Sequence, residues 1–109
     1  MGYNVLIVDN SVIIRKMVAK TLGISDLDIS GYYYAENGRQ ALEQLDENWI
    51  DIVFADINMP VMNGIEMIEE MNKKDLLTTI PVVVISTERS RERIDRLKSM
   101  GIGAYLQKP

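Results

Sequence analysis

Two hydrophobic periods alternate along the chain. Asn4-Val5-Leu6-Ile7-Val8-Asp9 is a near-continuous apolar run that ends in a carboxylate. A strand that is apolar on both faces is expected in a parallel sheet covered on both sides. Ser11 is a good N-cap, and the run to Leu22 puts Ile14, Val18 and Leu22 on one helical stripe, with Gly23 as its stop. Ile24 to Ser30 reads as an irregular polar connection in which Asp26 and Asp28 are turn residues. Tyr32-Tyr33-Tyr34-Ala35 predicts a short aromatic edge strand. Asn37-Gly38 then opens a helix to about Glu47 that turns Ala41, Leu42 and Leu45 inward.

Ile50 and Ile52–Ala55 form a central apolar strand running into Asp56, and Trp49 is expected to cap the helix–strand junction before it. Asn58, Pro60, Asn63 and Gly64 are turn chemistry, and Ile65, Ile68 and Met71 return to helical spacing. Val82–Ile85 is a fourth strand, closed by Ser86. The helix after it carries Ile94, Leu97 and Met100 inward, Gly101 and Gly103 break it, and Ala104–Gln107 is a fifth strand closed by Lys108-Pro109. The pattern βαβαβαβαβ predicts an α/β fold of three layers around a parallel five-stranded sheet, in one domain over 1–109.

Composition narrows the chemistry. With no cysteine and no histidine among 109 residues, disulfides, zinc sites, thiol catalysis and histidine acid–base chemistry are excluded. A net charge of −4 without a clustered basic run argues against direct nucleic-acid binding. The start lacks the features of a signal peptide and no apolar run nears the ~20 residues of a membrane span, so no membrane insertion and a cytoplasmic location are expected.

Four strands end in polar residues: Asp9-Asn10, Asp56, Ser86 and Lys108. Parallel strands put these tips on one edge, and ligands of open α/β sheets bind there. In a 2-1-3-4-5 order Asp9 and Asp56 are neighbours, and two close carboxylates call for a shared proton or a hard cation. Oxygen donors suit Mg²⁺. A cation, a lysine and a hydroxyl around a carboxylate are what a transferring phosphoryl group needs. Singly, each residue reads as a turn, cap or surface group; four polar tips on one edge of an apolar sheet are harder to explain that way. Tyr105 alone reads as core, Asp51 as structural or solvated, and the methionines as core or loop packing.

Val8-Asp9-Asn10-Ser11, Glu36-Asn37-Gly38, Asp56 to Gly64, Ser86 and Lys108-Pro109 together resemble the bacterial response-regulator receiver domain of the single-domain chemotaxis (CheY-like) type, from Asn4 to the last residue. The resemblance implies a flavodoxin-like doubly wound sheet in the order 2-1-3-4-5. It implies that Asp56 is the phosphoacceptor for a sensor histidine kinase, and that Mg²⁺ is held by Asp56, the Asn58 carbonyl and the Asp9-Asn10 pair. Lys108 would pair with the phosphoryl oxygens, Ser86 would move to bond them, and Tyr105 would follow inward as a switch read by a target protein or fused output domain. It also implies a cis Lys108–Pro109 bond.

Two departures stand out. The family has a second acid where this chain has Asn10, which implies weaker metal binding. The family also continues into a fifth helix after Lys-Pro, so the domain reads as truncated, with apolar surface left open to a dimer partner or fused domain. Asn10 favours a rival reading, a phosphorylation-independent pseudo-receiver acting as an interaction module; the presence of Asp56, Ser86 and Lys108 argues against it. An aspartyl-nucleophile phosphatase would want an acid where Asn58 stands. A nucleotide or flavin site would want glycines in Asp9-Asn10-Ser11-Val12.

Overall fold

The computed structural model describes residues 2–108. Five strands, β1 (Tyr3–Val8), β2 (Ile29–Ala35), β3 (Ile52–Ala55), β4 (Val82–Ser86) and β5 (Ala104–Gln107), alternate with α1 (Val12–Gly23), α2 (Gly38–Glu47), α3 (Gly64–Lys73) and α4 (Arg91–Ser99). The sheet is wholly parallel, in the order β2-β1-β3-β4-β5, as expected. Val8 lies opposite both Ala35 and Ala55, so the ends of the first three strands are level.

The central strands bury both faces. Leu6, Val8, Val53, Ala55, Val82 and Val84 pack toward α2, α3 and α4, where Ile65, Met67, Ile68, Met71 and Leu97 close the larger core. Val5 and Ile7 face the other way, against Leu22, Val18 and Ala19 of α1. That second core is smaller, because one helix covers a face of five strands. Ile14, Met17, Val18, Phe54, Ile85 and Leu106 therefore line a groove of about 710 Å³ beside α1.

Several boundaries move. β2 starts at Ile29 rather than Tyr32, because Tyr3 and Asn4 of β1 pair with Ile29 and Gly31 and draw Ser30 and Gly31, weak strand formers, into the sheet. Gly23 ends α1 from within; the cap is Ile24 at φ −98°, so no left-handed stop is used. Trp49 caps nothing. It is 78% exposed, and its indole N–H donates to Asp51 Oδ1 at 3.0 Å. Of the two readings of Asp51 the structural one holds: Oδ2 accepts the Asn4 amide at 2.8 Å, tying β1 to the start of β3. The caps Ser11, Asn37 and Asn63 accept from Ile14, Gln40 and Glu66 amides, and Asn63–Glu66 forms a full capping box.

The turn after β3 is closed tightly. The Gly64 amide donates to the Ile57 carbonyl at 2.8 Å, and a Cβ on Gly64 would lie 2.4 Å from the Asp56 carbonyl oxygen and 2.9 Å from Ile57 Cα. Both obstacles are backbone. Gly64→Ala is expected to destabilise the protein by about 3 kcal/mol, read from the shift in its urea midpoint.

Candidate functional site

β1 and β3 deliver Asp9 and Asp56 to the same edge, and β5 delivers Lys108 between them. Lys108 Nζ lies 3.2 Å from Asp9 Oδ2 and 3.6 Å from Asp56 Oδ2. The three side chains are only 6%, 12% and 19% exposed for Asp9, Asp56 and Lys108. Each charge is thus removed from most of its water, which is tolerable only because the lysine answers both carboxylates. The Lys108 amide also donates to the Ser86 carbonyl at 2.7 Å, extending the β4–β5 ladder and fixing where the side chain starts.

Main-chain amides orient the acids. Asp9 Oδ1 accepts the Ser11 amide at 2.9 Å, an Asx turn that leads into α1. Asp56 Oδ1 accepts the Ile57 amide at 2.8 Å, leaving Oδ2 toward Lys108. Asn10 and Asn58 are exposed beside them. Asp9, Asn10, Asp56 and the Asn58 carbonyl offer oxygen only, the donor chemistry that suits Mg²⁺. Ser86 is fully buried and its Oγ accepts the Glu88 amide at 3.1 Å. Tyr105 is half-buried, and its hydroxyl donates to the Glu88 carbonyl at 2.5 Å. Asp9, Asp56 and Lys108 are in direct contact. Ser86 and Tyr105 instead meet the loop after β4, through Glu88. Pro109, and with it the expected cis bond, lies outside the described residues.

Four features went unremarked in the sequence. Arg15 reaches back from α1, its Nη1 donating to the Asp9 carbonyl at 2.5 Å. Counting one turn on from the Ser11 cap would have placed Arg15 on the side facing β1. Glu88 is a hub: its carboxylate accepts the Ser90 amide at 3.0 Å and pairs with Arg93 at 3.0 Å, while its carbonyl serves Tyr105 and Gln107. Gly38 donates its amide to the Met62 carbonyl at 2.8 Å, and a Cβ there would press on Met62 and Met67. Val61 adopts φ +66°, and the Met62 amide donates to the Pro60 carbonyl at 2.7 Å across it. A β-branched residue in the left-handed region is strained. No sequence signal marks it.

The fold agrees with comparisons to known proteins. The response regulator receiver domain matches residues 5–109, and the chain belongs to that family. Receiver domains are signalling switches of two-component pathways. The chain is 33% identical over 105 residues to chemotaxis protein CheY-3 of Vibrio cholerae, covering 96% of this chain and 79% of that protein. It is 38% identical over 110 residues to a protein-glutamate methylesterase/protein-glutamine glutaminase of Nocardioides sp., covering 99% of this chain but 29% of that protein. It spans about half or less of the first curated relatives it matches, 29% to 51% of their length. A CheX-CheY-BeF3-Mg²⁺ complex from Borrelia burgdorferi contains a chain that superimposes with a TM-score of 0.86 at 28% identity, over 98% of this chain and 78% of that one. Among the described residues no helix is long and apolar enough to cross a membrane.

Two outcomes follow from this geometry. Lys108→Met leaves two largely buried carboxylates facing each other and is expected to cost about 2 kcal/mol. Millimolar Mg²⁺ should recover part of that loss, because a cation that binds the folded state stabilises it; thermal melts with and without Mg²⁺ read both effects. Val61→Asn keeps the left-handed turn with a residue that tolerates it, and is expected to gain about 1 kcal/mol by urea denaturation.

Proposed function

We propose that this chain is a phospho-accepting switch in which Asp56 takes a phosphoryl group from the phosphohistidine of a sensor histidine kinase. The observation that carries the reading is Lys108 lying between Asp9 and Asp56 on the sheet's carboxyl edge. An Asp56 oxygen forms the new P–O bond as the donor's N–P bond breaks. The imidazole nitrogen keeps the bonding electron pair and takes a proton. Hydrolysis later adds water at phosphorus and returns the carboxylate and inorganic phosphate.

The chain's own residues divide the work. The Ile57 amide holds one Asp56 oxygen and leaves the other toward the open edge. Lys108 is placed to neutralise charge on the transferred group. Asp9, Asn10, Asp56 and the Asn58 carbonyl would hold Mg²⁺, which when bound would supply positive charge against the phosphoryl oxygens. Ser86, whose Oγ accepts the Glu88 amide, keeps a hydroxyl proton to donate to a phosphoryl oxygen. Because Tyr105 is tied to the carbonyl of that same Glu88, movement of the loop would reach the α4–β5 surface. Phosphorylation then biases a surface that a target protein or fused output domain reads. The relative from Borrelia burgdorferi, solved as a complex containing CheX, BeF3 and Mg²⁺, is consistent with both the cation and a protein partner. A cytoplasmic site of action fits such a pathway. The groove beside α1 is where a second copy or a fused domain would pack.

Asn10 supports one rival, a receiver that acts through protein contacts without phosphorylation. Intact mass after incubation with acetyl phosphate separates the two. A Mg²⁺-dependent adduct of one phosphoryl group that is absent in Asp56→Asn is the expected result, and it should require more Mg²⁺ than in Asn10→Asp. No adduct at high Mg²⁺, in protein shown to be folded, would establish the contact-only role.

A further inference from the structure

Arg15 stands where helix physics disfavours it. It is the fourth residue of α1, whose first turn carries no acid, and a cation near a helix N-terminus opposes the macrodipole. Its guanidinium does not extend into solvent. It folds back along the helix, as helical side chains lean, and donates to the carbonyl of Asp9, the residue that gives its carboxylate to Lys108. Arg15 is half-buried there, so water screens its charge only partly.

The local charges then balance. Lys108 pairs with both Asp9 and Asp56, Arg15 brings a second positive charge to the Asp9 carbonyl beside them, and Asn10 contributes none. A divalent cation approaching these oxygens meets little net attraction, although the donors themselves suit it. The amide at Asn10 and the cation of Arg15 act in the same direction on this electrostatic balance. We propose that Arg15 is a charge-setting and positioning residue of the cation site, holding the Asp9 carbonyl while weakening divalent-cation binding at Asp9, Asn10 and Asp56. The inference rests on the cation site assigned above. Its consequence is a switch whose loading follows the free divalent-cation concentration instead of being saturated by it.

Mn²⁺ binding, followed by water proton relaxation, tests this without any phosphotransfer. Wild type, Arg15→Met, Arg15→Gln, Arg15→Lys and Asn10→Asp are compared at low salt and in concentrated KCl, each checked for folding by circular dichroism. The neutral variants are expected to bind Mn²⁺ roughly 3- to 10-fold more tightly at low salt, with the gain shrinking as salt screens the charge. Arg15→Lys should stay close to wild type, and Asn10→Asp should tighten binding independently. The proposal is overturned if both neutral variants bind no better than wild type, or if Arg15→Lys tightens binding as much as they do, since the effect would then belong to packing. A different result, no Mn²⁺ binding even in Asn10→Asp, would remove the cation site itself and with it the role of Arg15.

Discussion

The structure depends on one electrostatic constraint: two carboxylates brought together on a sheet edge must be answered by positive charge. Asp9 and Asp56 cannot avoid each other, because β1 and β3 are adjacent and in register to their last residues. Lys108 answers both, and it arrives from the far edge of the sheet. The order β2-β1-β3-β4-β5 is therefore more than a packing solution. It makes the fifth strand an electrostatic part of the site between the first and third.

Around that constraint, rigidity and freedom are unevenly shared. The turn after β3 is held by the Gly64–Ile57 and Gly38–Met62 bonds, by the capping box at Asn63, and at the cost of a strained Val61. The turn after β4 is held through Glu88, by single bonds to Ser86, Ser90, Arg93, Tyr105 and Gln107. Each of these can be exchanged without disturbing a core strand. The acid is thus fixed, while the loop that could respond to it is held by replaceable contacts.

Much of this was legible in the sequence, for identifiable reasons. Apolar runs that end in a polar residue mark β1, β3 and β4, since a strand buried on both faces has room for charge only at its tip. The strand order and the contact of Asp9, Asp56 and Lys108 were accessible once alternation and family resemblance were combined. The start of β2 was hidden, because Ser30 and Gly31 interrupt the strand pattern after Ile29 and are held by pairing with β1. Trp49 misled, because a large aromatic beside a strand suggests burial, whereas here Asp51 holds it outward by its N–H. Glu88 and Val61 were invisible for a common cause. Their roles pass through main-chain groups, and main-chain atoms carry no sequence signature.

The position of Trp49 has a practical corollary for anyone watching this protein work. It is the sole tryptophan, and it precedes β3 while Asp56 follows it. A four-residue strand, roughly 13 Å of backbone, separates the two ends. The indole is mostly in water and hydrogen-bonded to Asp51. An exposed ring of this kind reports on solvent and on Asp51 rather than through direct contact with the acids. Trp49 therefore stands at the end of the sheet away from Asp9, Asp56 and Lys108.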